Sequence, residues 1–225
     1  MKKSGETGLN EHFHKKTFEN IPAEKRERIL NIAITEFASK GYNAASINTI
    51  ARNAGISIGG MYRYFESKEA LIMTVLDRGY VLLEKALKEI VEMEGDILTR
   101  IEAMLRTSMA YAREYREINQ IYLDVSTEGL SSLAGRISLK MEGITSELYR
   151  KSLEEAKAEG IVRGEVHPGI LAFCLDNLVM MVQFSCASAY YRERLKIYAG
   201  EDVADDDDAL IEGIMDFVKY GLLKI

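Results

Sequence analysis

Between Ser46 and Phe65 the chain gathers groups suited to hydrogen bonding with phosphates and with the edges of nucleic-acid bases. Tyr62 brings a phenolic hydroxyl and Arg63 a guanidinium, with Tyr64 beside them. Hydroxyls and guanidinium groups are strong donors to phosphate oxygens and to base acceptors. Just before them stand two adjacent glycines, Gly59 and Gly60. Glycine costs a helix interior about 1 kcal/mol relative to alanine. A paired glycine therefore needs a reason, and close approach of backbone to a ligand is one. The plainer alternative is that Gly59 and Gly60 form a loop and the aromatics are core.

Two short helices joined by a tight turn would position these groups. Ile47, Ile50 and Ala51 are spaced i, i+3 and i+4, which puts them on one helical face. Ser46 stands where its hydroxyl can cap that helix. Gly55 falls at the interhelical turn, where a positive φ suits glycine. Ile56 returns to the core, Ser57 can cap a second helix, and Met61 and Phe65 continue the apolar face. Ile58, Gly59, Gly60, Tyr62, Arg63 and Tyr64 are left facing outward. This is a helix-turn-helix pattern, whose dominant use is to place a short helix in the major groove of DNA. Arg63 then either reads a guanine through two hydrogen bonds or touches phosphate alone.

From about Lys25 to Leu76 the sequence resembles the tetracycline-repressor (TetR) family of bacterial and archaeal transcription regulators. The resemblance rests on Arg28-Ile29-Leu30, Ala33, Phe37, Lys40-Gly41-Tyr42, Ile50-Ala51 and Ala54-Gly55-Ile56-Ser57. It continues through Met61-Tyr62-Arg63-Tyr64-Phe65 and Ser67-Lys68-Glu69-Ala70-Leu71. It implies that Tyr62, Tyr64 and Lys68 contact phosphates and that Ser46 caps its helix beside the DNA backbone. It also implies that Ile58, Gly59, Gly60 and Arg63 lie over base edges, with Ser57 opening that helix. Many members carry Thr where this chain has Gly60, and the departure leaves only backbone to make a contact there. The resemblance further implies C-terminal helices that dimerise and enclose an effector pocket.

The whole chain reads as all-α. It has 225 residues, 47% of them apolar, and only two prolines. We expect a flexible arm over 1–21, a helix-turn-helix domain over 22–68 and a helical effector-binding and dimerisation domain over 69–225. The arm carries His12, His14, Lys15 and Lys16, which make it either an unstructured tail or a basic arm for DNA. Helices are predicted over 24–39, 67–93, 96–115, 119–129, 131–159, 168–198 and 205–223. Gly41 caps the first, and a turn follows over 160–164. The net charge of −6 divides unevenly, since residues 1–76 hold eleven Lys/Arg against eight Asp/Glu while the rest is acidic. A mildly basic head on an acidic body is compatible with DNA touching the head alone.

Met1 to Asn20 is polar, which predicts no secretory leader and a cytoplasmic chain. Cys174 and Cys186 fall on one predicted helix, roughly 18 Å apart along it, too far to pair. The apolar stretch 170–191 is nearly long enough to span a membrane, but Asp176, Asn177 and Gln183 interrupt it. It reads instead as a helix buried in a bundle or dimer.

In the body, Met109, Tyr111, Tyr115, Tyr122, Phe173, Met180 and Phe184 are either core or the wall of a pocket for an apolar or amphipathic molecule. Asn177 and Gln183 would supply its few polar groups. Asp176 is a carboxylate in an apolar helix, so it pairs with a ligand cation, pairs with an Arg such as Arg106, or faces solvent. The helices from Pro168 and Asp205 are the expected interface of a homodimer, through Val182, Ala189, Ile211, Ile214, Met215 and Val218. Such a dimer would present two recognition helices to a palindromic operator. The run Asp205–Asp208 suits a helix start rather than a metal site.

These features predict a ligand-responsive, sequence-specific DNA-binding transcriptional regulator, a repressor released by its effector. The rivals are a helical ligand-binding module or enzyme with an incidental helix-turn-helix, and a DNA-binding protein that needs no effector. Catalytic evidence is poor: the chain has three histidines, no metalloprotease or Walker motif, and no cofactor signature.

Overall fold

A computed structural model describes residues 13–127, 131–163 and 165–222. Among them the regular structure is helical: α1 (Lys16–Glu19), α2 (Ala23–Ala44), α3 (Ile47–Asn53), α4 (Ile58–Tyr64), α5 (Lys68–Glu92), α6 (Ile97–Glu114), α7 (Arg116–Thr127), α8 (Ser131–Ala158), α9 (Pro168–Ala187), α10 (Ala189–Ala199), α11 (Glu201–Ala204) and α12 (Asp207–Leu222).

Side-chain oxygens set several helix starts, as the sequence predicts. Ser46 accepts from the Thr49 amide, Ser57 from Gly60 and Ser67 from Ala70. Asp96 opens α6 in the same way through Thr99. Each such cap satisfies an amide that the helix itself leaves unpaired. Gly55 adopts φ +68° in the α3–α4 turn, a region that residues with a Cβ rarely enter. Gly41, at φ +70°, breaks α2 one turn before its end.

Two cores follow. The head core joins Ile29, Phe37, Ile50, Met61 and Phe65 to Leu71 and Ile72 of α5. The body core joins Leu87 of α5 and Leu105 of α6 to Leu153, Leu175 and Ile211. The head core also draws on a later helix. Ile118, Ile121 and Val125 of α7 belong to the head core, where α7 packs on α2.

Three boundaries differ from the sequence expectation. Within the polar segment before residue 21, residues 16–19 form a helix packed on the head, with Phe18 only 2% exposed against Tyr64 and Phe65. His12 lies outside the described residues. The expected single helix over 168–198 is two, since Ser188 takes extended angles (φ −112°, ψ 131°) between α9 and α10. The final helix starts at Asp207, with the Asp206 carboxylate accepting from the amides of Asp208 and Ala209. Helix α9 is long and apolar enough to cross a membrane by length and composition, yet it packs against α6, α8, α7 and α10.

The acidic run at 205–208 is met by arginines from two helices. Arg192 pairs with Asp205, Arg113 with Asp207 and Arg106 with Asp208. The pairs are largely exposed, so each contributes modestly, but together they fasten α12 to α6 and α10. They also occupy Arg106, which is therefore not the partner of Asp176.

Candidate nucleic-acid interface and effector cavity

The outward face of α4 is the one the sequence predicts. Tyr62 is 48% exposed, and Ile58, Gly59 and Arg63 are exposed with it. A Cβ placed on Gly59 would meet nothing within 4 Å, so this position leaves open space in front of the helix. Gly60 is different: a Cβ there would sit 3.3 Å from the Ser57 hydroxyl that caps its amide. Ser46 receives support from the preceding helix, its amide donating to Glu36 Oε1 at 3.1 Å.

Tyr64 and Lys68 depart from the expectation. Tyr64 is 8% exposed, and its ring packs against Phe18 inside the head core. Its place in the sequence, two after Tyr62, rotates it about 200° around the helix and away from the exposed face. Lys68 turns inward as well. Its ammonium donates to the carbonyls of Tyr42 (2.7 Å), Asn43 (3.1 Å) and Ala45 (3.2 Å) and lies over the Tyr42 ring. All three of its protons are thereby committed to the end of α2, and the group holds the α2–α3 connection.

Sequence reasoning missed the segment before α2. Lys15 donates from its amide to the Tyr64 carbonyl (2.8 Å) and from its ammonium to the Tyr62 carbonyl (3.1 Å). Thr17 donates to the Arg63 carbonyl at 2.6 Å. These contacts cap the C-terminus of α4, where positive charge also complements the helix dipole. The signal was available in Phe13 and Phe18, two aromatics in a polar stretch.

Behind the head, α5 to α9 enclose a cavity of about 70 Å³. Its walls include Leu76, Leu83 and Leu87 of α5, Ile118 and Tyr122 of α7, and Val179 of α9. A second, wider opening between α8 and α9 shares Glu142, Thr145, Asp176 and Met180 with it, and forms its mouth.

The expected pocket residues divide. Tyr111, Tyr122, Asp176 and Met180 line the cavity. Phe173, 70% exposed, and Asn177 stand at the mouth. Met109 and Phe184 are buried core, the latter packed between Tyr122 and Tyr191. Tyr115 packs at a tilt against Tyr111 and faces a cleft near Arg78 instead. Gln183 lines the cavity and donates to the Asn119 side chain. Glu142 and Tyr149 were missed. With Thr145 they follow an i, i+3, i+7 spacing on α8, which marks one helical face.

Burial governs the electrostatics. It pushes the Asp176 carboxyl up to about 6, and the nearby Glu142 charge adds to that. Tyr122 donates to Glu142 Oε1 at 2.5 Å. Burial raises the Tyr122 hydroxyl, as it does those of Tyr111 and Tyr149.

Of the apolar residues expected between protomers, Val182, Ile211 and Val218 are buried within one protomer. They point inward because the body core needs them. The exposed apolar side chains nearby are instead Met181 of α9 and Phe217 and Tyr220 of α12.

Residues 29–74 match the family model described as bacterial regulatory proteins, tetR family. YerO, an HTH-type transcriptional regulator of Bacillus subtilis, is 29% identical over 154 residues, which are 66% of this chain and 52% of YerO. The match thus spans about half of that relative's length. A TetR family regulator from Chloroflexus aurantiacus superposes with a TM-score of 0.70 at 20% identity, covering 94% of this chain and 99% of that one. FadR from Bacillus subtilis, in complex with stearoyl-CoA, gives 0.70 at 14% identity over 87% and 98%. At such identities the likeness shows the fold. Helix-turn-helix geometry and family match agree on a tetR-type helix-turn-helix at residues 29–74, and the chain as a whole shares its fold with TetR family regulators.

Proposed function

We propose that the protein is a ligand-responsive, sequence-specific repressor that binds a near-palindromic operator as a homodimer in the cytoplasm and leaves it when a small apolar or amphipathic effector enters the body. The observation that carries this reading is the double membership of Ile118. It belongs to the head core and also lines the body cavity. Helix α5 repeats the arrangement, with Lys68 gripping the end of α2 and Leu76, Leu83 and Leu87 walling the cavity. A ligand that reshapes this wall must disturb residues on which the head rests.

DNA recognition falls to the exposed face of α4 and the capped starts at Ser46 and Ser57, with Arg63 as the base reader and Tyr62 on phosphate. Lys15, Lys16 and Thr17 extend this surface. Two such heads read two half-sites, joined through the outer faces of α9 and α12, where Met181, Phe217 and Tyr220 are exposed. FadR, which shares the fold, holds stearoyl-CoA, and this supports a small-molecule site in the body. The effector acts only if it binds the DNA-incompetent arrangement more tightly; a swing from about 1:99 to 99:1 takes roughly 10⁴-fold preference.

The test is selection from random duplexes at a stated salt concentration, followed by a small-molecule screen for release from the selected site. Enrichment of an inverted repeat and release by a compound support the reading. Weak, steeply salt-dependent binding without sequence preference would show the phosphate contribution alone and defeat it.

A further inference from the structure

The cavity holds two carboxylates and an unanswered hydroxyl. Tyr149 is 5% exposed, lines the cavity, and has no hydrogen-bond partner among the described residues. The Asp176 carboxylate likewise has no hydrogen bond or ion pair among the described residues, and there the Glu142 carboxylate accepts from Tyr122 alone. Among the described residues, no Lys, Arg or His lines the inner cavity. Arg106 and Arg113 are engaged with the start of α12, and Arg150, at the mouth, pairs with Glu154. A carboxylate taken from water without a partner is costly, and a structure that keeps one in an apolar cavity is arranged for something that supplies the charge.

We infer that the effector is an organic cation with an apolar body, its positive head seated between Asp176 and Glu142 and its apolar part among Leu83, Leu87 and Val179. This inference rests on the reading of the cavity as the effector site. Tyr122 and Tyr149 stand beside the head position and Tyr111 lines the same cavity, and aromatic faces attract cations in dry surroundings. The unpartnered Tyr149 hydroxyl is free to accept from an ammonium proton. The mouth repeats the sign, since Glu142, Glu147 and Asp176 border it. A coenzyme A thioester, rich in phosphate, would meet these carboxylates with like charge, so the ligand held by FadR does not transfer to this chain.

The test uses three probes that share one chain and differ in head charge: decylammonium, 1-decanol and decanoate, each titrated calorimetrically into the full-length protein, Asp176→Asn and Glu142→Gln. Folding of the variants is checked by thermal melting. The cation should bind at least about tenfold more tightly than the alcohol, a modest fraction of the attraction available to a half-buried ion pair, and either variant should abolish that preference. Equal binding of the three, or preference for decanoate, overturns the cationic effector while leaving the cavity as an effector site. Binding of none at millimolar concentration overturns both this inference and the effector reading of the cavity. Preference for the cation that survives both substitutions also overturns it, because the head would then lie elsewhere.

Discussion

Tyr111 on α6 donates its hydroxyl to the carbonyl of Gly79, the one glycine of α5, at 2.8 Å. The same glycine lets α7 approach. A Cβ at residue 79 would lie 2.7 Å from Ile118 Cγ2 and 2.9 Å from the Tyr111 oxygen. Three helices therefore meet at a point between the head core and the cavity, and their spacing depends on one missing methyl group.

Gly79→Ala sets two effects against each other. Alanine gains about 1 kcal/mol of helix propensity, but overpacking a well-filled contact costs about 1–3 kcal/mol. The added carbon faces a branched side chain and a fixed hydroxyl, so the cost prevails. We expect a lower melting temperature and a changed effector response, because Ile118 is displaced. A melting temperature above wild type would show that α7 yields freely and that the contact transmits nothing.

Lys68→Met keeps most of the side-chain stem and removes the ammonium. Three carbonyls at the end of α2 lose their donor. Hydrogen bonds to charged groups contribute about 1.5–3 kcal/mol each where buried, and solvent replaces part of that at this half-exposed site. The prediction is a loss of about 2 kcal/mol in chemical denaturation and weaker DNA binding that follows from it. Normal stability with lost DNA affinity would instead return Lys68 to the phosphate backbone.

Phe18→Ala tests whether the segment before α2 is part of the head. Deleting a fully buried aromatic ring costs about 3–5 kcal/mol. The cavity would open beside Tyr64 and Phe65 and loosen the end of α4. Truncation of an unstructured arm would leave the melting curve unchanged, so calorimetry separates the two accounts directly.

The head was legible because its constraints are local. Caps at Ser46, Ser57 and Ser67, the turn at Gly55 and the spacing of Ile47, Ile50 and Ala51 all act within a few residues, and the structure realises each. The packing of Tyr64 and Lys68 was not legible, because their partners, Phe18 and the end of α2, are distant in sequence. The cavity was half legible for the same reason. Asp176 stood out within its own helix, but its neighbours Glu142 and Tyr149 come from α8, and only packing brings them to it. The division into head and body hid α7, whose apolar face serves both.

Arg63→Ala should leave thermal stability unchanged, since the side chain is exposed and makes no side-chain contact that the fold needs. Its effect falls on DNA. A bidentate contact to one guanine discriminates by about 1–3 kcal/mol, so selection with the variant should lose preference at one base pair per half-site and retain the rest of the repeat. A uniform loss across all sequences, with a shallower salt dependence, would place Arg63 on phosphate.

Asp176 gives the unliganded protein a pH dependence of its own. Its folded value of about 6 lies above the ordinary 3.8. Between these values the native state binds more protons than the unfolded chain, so stability is greatest at the acid end of this window and falls as pH rises through about 6. The groups facing the carboxyl are Glu142 and Tyr149 of α8 and Tyr122 of α7. None is a cation, and the tyrosines stay neutral at these pH values, so nothing among them reverses the sign. Asp176→Asn should therefore stabilise the unliganded protein at neutral pH, by up to about 3 kcal/mol for a shift of this size, or several degrees in melting temperature. It should also flatten the stability profile between pH 4 and pH 6. Melting curves of both proteins across that range decide the matter. A variant that is less stable at neutral pH would mean that Asp176 is satisfied within the protein, and that its charge serves the fold rather than a ligand.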